Sequence, residues 1–284
     1  MIRFGVHCSL RDGLTGSLEE AKAKGCEAMQ IFTRSPRMWK MKPPAAKAVA
    51  DFIKLRKIYN IHPLVVHIPY LPNLATSKPE LYRLSLQALI DDLRLAEKLE
   101  ADYLVIHPGS YSDGSTLEEG IKKIVSALNV AFDEAPGKSY ILLETVAGGG
   151  RRIGSSFEEI RKMIDGVKDK KRIGVCLDTA HSFAAGYDLS TPSGIDKAMK
   201  AFESIIGFKY LKAMHFNDSL VPFNSRKDRH QHIGKGYIGE KGFRYIIKKL
   251  KDKVEAGILE TPKEPESADK RNLKLLYKWR NNKH

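Results

Sequence analysis

Histidines and carboxylates stand at the ends of short apolar runs in this chain, and both residue types can bind metal ions. The runs Leu64–Val66 and Tyr103–Ile106, for example, are each followed by a histidine. Six consecutive runs end this way, and the residues that follow them are His67, His107, Glu144, Asp178, His215 and Glu260. Imidazole nitrogens together with carboxylate oxygens suit zinc, and less specifically manganese or iron. The pattern therefore indicates a divalent metal site, provided that the six ends meet in space.

Three more ionisable residues extend this set. His181 stands three residues after Asp178, and Asp228 and His230 are spaced so that both can turn toward one ion. One such residue alone would more often cap a helix, but four carboxylates together would repel each other unless cations neutralise them. Nine ligands exceed the needs of one tetrahedral ion, so we expect two or three ions. His7 also ends an apolar run, and we expect it beside the site rather than as a ligand.

The elements that must position these residues follow from hydrophobic periodicity. Short apolar runs predict eight strands: Phe4–Cys8, Ala28–Phe32, Leu64–His67, Tyr103–His107, Ser139–Glu144, Arg172–Asp178, Tyr210–His215 and Val254–Glu260. Longer amphipathic stretches predict the helices Leu14–Lys24, Pro44–Tyr59, Leu81–Leu99, Leu117–Glu134, Phe157–Asp165, Gly194–Ile206, Lys241–Lys251 and Ser267–Trp279. Eight strand–helix units predict an α/β protein with a (β/α)8 TIM barrel, in which all strand ends meet on one face. An open doubly wound sheet is the alternative, but it would not ordinarily need eight units.

Composition narrows the class of protein. The 284 residues are 42% hydrophobic and contain no linker or composition break, so we expect one domain over residues 1–284. No apolar run approaches the length of about 20 residues that a membrane span needs. Three scattered cysteines, Cys8, Cys26 and Cys176, favour a reducing, cytoplasmic setting over a disulfide framework. A net charge of +14 permits a polyanionic partner such as nucleic acid, although lysine also enriches heat-stable proteins.

Six segments carry the candidate ligands and their neighbours. They are HIPYL from His67, HPGS from His107, CLDTAHSFAAGYD from Cys176, MHFND from Met214, DRH from Asp228 and LET from Leu259. In these settings the chain resembles the endonuclease IV family of apurinic/apyrimidinic endonucleases, within the xylose isomerase-like TIM barrels. The resemblance runs from the first strand to about Thr261. The segments that begin at Cys176 and Asp228 are the most specific, whereas HPG alone would not be.

The resemblance implies a zinc-dependent deoxyribonuclease that acts in DNA repair, and we expect a monomer. It would hydrolyse the phosphodiester 5′ to an abasic site in double-stranded DNA, leaving a 3′-hydroxyl and a 5′-deoxyribose phosphate. It would also trim blocked 3′ ends. Three zinc ions are implied, although manganese or iron could occupy some positions. The first ion would be held by His67, His107 and Glu144, and the second by Glu144, Asp178, His215 and Glu260. The third would be held by His181, Asp228 and His230. The catalytic residues would be Glu144, Asp178 and Glu260.

Two loops match elements that enter the duplex in this family. Arg37 aligns with an arginine that is inserted into the DNA, and Tyr70 with Leu71 aligns with an aromatic and apolar wedge. An abasic site has already lost the stacking of one base, so a wedge and a cation can bend the duplex at little cost there. A few positions that are not ligands depart from the family pattern, namely Pro72, Thr145, Gly149 and Lys235.

Two other functions compete with this interpretation. A sugar isomerase or epimerase of the xylose isomerase-like class would also gather His, Asp and Glu around a divalent metal. It would not need Asp228 and His230 as a pair of ligands for a third ion, or Arg37 and Tyr70 as wedges. A DNA-damage binder with structural zinc is the other possibility. Structural zinc sites are usually closed and cysteine-rich, whereas no cysteine stands at a ligand position here, and this difference favours catalysis.

Overall fold

Eight parallel strands close into a barrel in the computed structural model, which describes residues 1–35 and 38–282. We number the barrel strands β1 to β8: Arg3–Cys8, Ala28–Phe32, Leu64–His67, Tyr103–Ile106, Tyr140–Glu144, Ile173–Asp178, Leu211–His215 and Ala256–Leu259. Each strand pairs with the next one along the chain, and β8 pairs with β1 to close the ring. The predicted TIM barrel is confirmed. Arg37 lies outside the described residues, so its predicted place in the DNA interface gains no structural description.

Helices follow the strands around the outside of the barrel. In chain order, α1 to α9 are Gly13–Lys24, Ala46–Tyr59, Pro79–Lys98, Leu117–Glu134, Phe157–Gly166, Thr179–Ala184, Pro192–Ile205, Gly239–Leu250 and Ala268–Asn281. All eight predicted helices are present, with their ends within two residues of the expected positions. The short helix α6 was not predicted. His107 and Glu260 were predicted as the last residues of their strands, but each lies one residue beyond the end.

Capping and amphipathicity account for these helices, as α4 illustrates. The Thr116 hydroxyl accepts a hydrogen bond from the Glu119 N–H at 3.2 Å, and the Glu119 carboxylate accepts one from the Thr116 N–H at 2.8 Å. This reciprocal cap satisfies N–H groups that the first turn leaves unpaired. Ile121, Ile124 and Leu128 then recur on one face and are buried, each stabilising the fold by about 1.5–3 kcal/mol. No helix within the described ranges is long and apolar enough to cross a membrane.

The inside of the barrel is a separate apolar layer. It includes one or two buried side chains from most strands, such as Ala28, Val65, Leu142 and Ile258. Successive side chains on a strand point to opposite faces, so the residues between these pack outward against the helices. Consequently, the next inward position on each strand lies two residues nearer the carboxyl end, where barrel enzymes build their sites.

Candidate metal centre

The inward positions at the carboxyl ends of the strands are all occupied by residues that can bind metal or hydrogen-bond a ligand. Each stands two residues after a residue of the barrel interior, as Glu144 follows Leu142 and His67 follows Val65. The eight residues, one from each strand or its end, are His7, Gln30, His67, His107, Glu144, Asp178, His215 and Glu260. Strand alternation thus collects the six predicted strand-end ligands into one layer.

Glu144 lies at the centre of this layer and is completely buried. Its Oε2 lies 2.9 Å from His107 Nε2 and 3.0 Å from His67 Nε2. Its Oε1 lies 3.0 Å from His215 Nδ1 and 3.3 Å from His181 Nδ1. Burial alone would raise the pKa of Glu144, but the charges of His107 and His215 and the histidine hydrogen bonds hold this pKa well below its usual range. The carboxylate is therefore ionised and touches both the first and the second predicted ligand groups.

The second group surrounds His215 Nδ1. Glu260 Oε2 lies 3.2 Å from this nitrogen, and Asp178 Oδ2 lies 3.8 Å from it. The ligand atoms of Glu144, Asp178, His215 and Glu260 all lie within 4.8 Å of one another. Burial would raise the pKa of Glu260, but the charge of His215 and the neighbouring His7 lower it well below the usual value. Three carboxyl groups around one imidazole nitrogen form a cation-binding arrangement.

The third group lies beside the second one. His181 Nε2 and His230 Nε2 are 3.4 Å apart, and Asp228 Oδ2 lies 3.2 Å from His181 Nε2. Asp178 also takes part, because its Oδ2 lies 3.8 Å from His230 Nε2 and the ligand atoms of Asp178, His181 and His230 fall within 4.8 Å of one another. The sequence predicted Asp178 for the second group alone. In the structure it lies between the second and third groups.

Local structure explains how His181 reaches the cluster. Strand β6 ends at Asp178 and helix α6 begins at Thr179, and the Asp178 carboxylate caps this helix by accepting the His181 N–H at 2.7 Å. Thr145 supports both residues, because its hydroxyl accepts the Asp178 N–H at 2.9 Å and its carbonyl lies 2.9 Å from His181 Nδ1. The threonine that departs from the family pattern therefore positions two candidate ligands.

Four of the candidate histidines direct one ring nitrogen out of the cluster to a fixed oxygen acceptor. The pairs are His67 Nδ1 with the Ile68 carbonyl at 2.7 Å, His181 Nδ1 with the Thr145 carbonyl at 2.9 Å, His215 Nε2 with Gln30 Oε1 at 2.9 Å, and His230 Nδ1 with the Glu260 carbonyl at 3.2 Å. Each acceptor requires an N–H, so a neutral ring presents the lone pair of its other nitrogen to the cluster. A carboxylate that faces this nitrogen requires either a proton on the ring or a cation between the two groups, and a bound metal ion replaces that proton. The donor set therefore fits divalent metal ions held by oriented imidazoles.

Two buried amides that the sequence analysis missed connect these ligands. Gln30 Nε2 donates to Glu260 Oε1 at 2.6 Å. Asn217 Nδ2 donates to Asp178 Oδ2 at 2.7 Å, and Asn217 Oδ1 accepts the Glu260 N–H at 2.8 Å. His7 lies beside them, with Nδ1 at 2.9 Å from Gln30 Nε2 and 3.7 Å from Glu260 Oε1. Gln30 could have been identified from the sequence, because it is a polar residue at an inward position of the otherwise apolar strand β2.

Tyr70 borders the cluster on its open side. Its side chain is 67% exposed, and its ring centroid lies 5.6 Å from that of Phe32 and 6.1 Å from that of His107. Leu71 is half-buried next to it. A pocket of about 320 Å³ opens here, lined by residues that include Tyr70, His107, His181, Asp228 and Arg152. The predicted wedge residues therefore stand at the entrance to the predicted metal ligands.

The fold and the cluster place the chain among the xylose isomerase-like TIM barrels, whose family model matches residues 18–279. The probable endonuclease 4 of Halothermothrix orenii is 46% identical over 264 residues, which are 92% of this chain and 94% of that protein. The crystal structure of endonuclease IV from Thermus thermophilus has a TM-score of 0.85 at 36% identity and covers 98% of each chain. A D-psicose 3-epimerase from Clostridium cellulolyticum shares the fold alone, with a TM-score of 0.72 at 14% identity over 99% of this chain and 100% of that one. The chain belongs to the endonuclease IV family, as its motifs predicted.

Proposed function

We propose that the protein is an apurinic/apyrimidinic endonuclease that hydrolyses the phosphodiester 5′ to an abasic site. The cluster of oriented imidazoles and ionised carboxylates on the carboxyl face of the barrel is the observation that carries this proposal. Family membership supplies the substrate class, double-stranded DNA with an abasic or 3′-blocked site. The products would be a 3′-hydroxyl and a 5′-deoxyribose phosphate, and we propose that the protein acts as a monomer.

We assign three zinc ions to the centre, with manganese or iron able to replace zinc at some positions. The ligands are those that the family resemblance implies: His67, His107 and Glu144, then Glu144 with Asp178, His215 and Glu260, then His181, Asp228 and His230. The mixed nitrogen and oxygen donors, without cysteine, support zinc in a catalytic rather than a structural role. When bound, such ions lower the pKa of water to about 7 and neutralise charge on phosphoryl oxygens.

The chain's own residues contribute charge and position. Glu144, Asp178 and Glu260 supply carboxylate groups in a largely buried layer, where electrostatic interactions are stronger than in water. Gln30 holds Glu260, and Asn217 links Asp178 to the backbone at Glu260, so neither carboxylate has to reorganise when substrate arrives. Such preorganisation commonly accounts for a large part of the rate enhancement.

The entrance residues account for the selection of damaged sites. Tyr70 and Leu71 stand where a wedge would enter the duplex, and the family resemblance assigns to Arg37 the role of an inserted cation. A position without a base lacks one stacking partner, so unstacking the step there requires less free energy than in intact DNA. Intact duplex would therefore be bound through its phosphates but not opened toward the cluster.

An incision assay tests the proposal directly. A duplex is prepared with a single tetrahydrofuran abasic analogue, and a second one with a natural abasic site. We expect incision of both, on the 5′ side, with a 3′ end that a polymerase extends without further processing. A lyase would cut the natural site by β-elimination but could not cut the tetrahydrofuran analogue. The proposal is wrong if neither duplex is incised, or if only the natural site is.

A further inference from the structure

The outer side of helix α8 carries a row of cations that have no ion-pair partner among the residues the structure describes. Lys241, Arg244, Lys248 and Lys251 follow one another at spacings of three or four residues, so they lie on one side of the helix and its end. The first three are exposed and Lys251 is half-buried. None of the four forms an ion pair or a side-chain hydrogen bond with any residue in ranges 1–35 and 38–282. On the same helix, Lys249 pairs with Asp196 at 2.5 Å, so the helix does have an acidic neighbour on another side.

Helix α9 packs beside α8 and carries further cations. The four cations of α8 line a groove of about 580 Å³ together with Tyr245 and Trp279, and Glu240 is the one carboxylate among the described lining residues. Three exposed cations of α9 also form no ion pair with any described residue, namely Arg271, Lys274 and Lys278. We call the seven cations Lys241, Arg244, Lys248, Lys251, Arg271, Lys274 and Lys278 the α8–α9 strip.

Helix α8, which carries four cations of the α8–α9 strip, begins on the side of the barrel that holds the metal centre. The buried Asp218 accepts the N–H groups of Ile238 at 2.9 Å and Gly239 at 3.2 Å, where α8 begins. Asp218 also belongs to the short strand Asp218–Ser219, which pairs with His230–Gln231. The strip then follows α8 down the barrel wall for about 15 Å from Lys241 to Lys251, at 1.5 Å per residue. It is therefore continuous with the face on which the lesion would sit.

We propose that the α8–α9 strip binds the sugar–phosphate backbone of the duplex that flanks the abasic site. This inference rests on the proposed function. Closely spaced cations without protein partners gain free energy from phosphates, because counterions are released from the DNA. A flank that extends past the rim of the barrel would pass the end of the strip at which α8 begins, which allows contact beyond the metal face. The strip would contribute affinity and not chemistry.

Matched variants and two duplex lengths test the strip. The strip variant carries Lys241→Gln, Arg244→Gln, Lys248→Gln and Lys251→Gln. The control variant removes the same charge elsewhere through Lys54→Gln, Lys98→Gln, Lys122→Gln and Lys168→Gln, which are exposed and unpaired among the described residues. Affinity is measured over a range of salt concentrations for duplexes whose flanks on each side of the analogue are about half a turn or about two turns, at about 10.5 base pairs per turn.

On the long duplex, we expect the strip variant to bind at least about tenfold more weakly at 0.1 M salt, with a salt slope smaller by up to about 3.6 if all four cations contact phosphates. The control variant should bind the long duplex within twofold of the parent, and the short duplex should not distinguish the two variants. Equal losses in both variants, or no loss in the strip variant, would overturn the proposal. Incision of the short duplex by the parent tests the proposed function separately, so the two failures are distinguishable. Unfolding midpoints equal to the parent's show that each variant is folded.

Discussion

Gln30 Oε1 accepts the Nε2–H of His215 at 2.9 Å, across the barrel from β2 to β7. This bond decides that Nδ1, the other ring nitrogen, faces Glu144 and Glu260. The Nε2 of the same amide donates to Glu260 at 2.6 Å, so a single neutral side chain orients both an imidazole and a carboxylate. Groups of this kind often influence metal affinity nearly as strongly as the ligands themselves.

Replacing Gln30 by methionine should weaken metal binding without removing a ligand. The Gln30→Met variant keeps a similar volume but leaves the His215 N–H without an acceptor and Glu260 without a donor. We expect metal affinity to fall about 10–100-fold and stability to fall by about 1–3 kcal/mol, measured by chelator competition and by denaturant unfolding. The control is Met29→Leu, a buried neighbour on the outward face of β2. Equal metal affinity in both variants would contradict the role of Gln30.

Glu144→Gln should separate chemistry from folding. The change keeps the shape of the side chain but removes the charge that faces His67, His107, His215 and His181. We expect incision to slow by at least about a hundredfold, the usual consequence of losing one transition-state-stabilising group, while the variant stays folded. His7→Asn should lower the rate far less, because His7 lies beside Glu260 and not among the proposed ligands. If single-turnover rates show the opposite order, the assignment of the centre is wrong.

The entrance residues should affect binding and not metal content. Tyr70→Ala and Arg37→Ala should each weaken binding to abasic duplex by about 1–3 kcal/mol, the range for aromatic stacking on bases and for desolvated cation contacts. The affinity of both variants should still fall steeply with salt, because the phosphate contacts persist. Ile58→Ala, an equally exposed apolar residue on α2 at 66%, serves as control. If both variants bind and incise abasic duplex as well as the parent protein does, the wedge assignment is wrong, although the metal assignment is unaffected.

A buried ion pair between Arg34 and Asp92 should make stability depend on pH. Arg34 Nη2 lies 2.5 Å from Asp92 Oδ1, and both side chains are buried. Burial raises the pKa of Asp92 to about 6 from 3.8, although the charge of Arg34 acts in the opposite direction. Because the folded pKa lies above the unfolded one, the folded state binds the proton more tightly. This stabilisation is complete below pH 4 and is lost as the pH rises through 6, by about 3 kcal/mol in total.

The double variant Arg34→Met with Asp92→Leu removes this dependence. Urea unfolding is measured for the parent and the variant at pH 7 and pH 4, with a chelator present so that metal loss is the same in both. We expect the free energy of unfolding of the variant, relative to that of the parent, to be lower at pH 4 than at pH 7 by about 2.4 kcal/mol, most of the full effect. At pH 7 the variant should be as stable as the parent or more so, since apolar replacements of buried pairs often are. A difference that does not change with pH would contradict the raised pKa of Asp92.

The barrel was predictable because each of its strands is a local pattern. An apolar run such as Leu64–Val66 is recognisable from a few consecutive residues. The closed barrel then brings the ends of all the strands to one face. The alternation of side chains adds a constraint that identifies Gln30 as well, because it stands two residues after the inward Ala28. The nine proposed ligands therefore followed from local position and polarity.

The contacts that orient those ligands depend on positions far apart in the sequence. Asn217 hydrogen-bonds Asp178 from 39 residues away, and its polarity alone does not tell which carboxylate it meets. The acceptors for the histidine N–H groups are mostly backbone carbonyls, which every residue has, so only the loop geometry selects them. The position of Asp178 between two ligand groups likewise depends on tertiary structure, because the segment that carries His230 has to lie against Asp178.

The most direct test of the account is the metal content of the intact protein, measured by native mass spectrometry alongside the incision rate as metal is withdrawn. The nine proposed ligands, with at least one shared carboxylate, predict three zinc-sized ions per chain at about three to four protein ligands each. Activity should be lost as the ions are removed and should return when zinc is restored. A fully active protein that holds one ion, or none, would contradict the three-ion centre on which the proposed function depends.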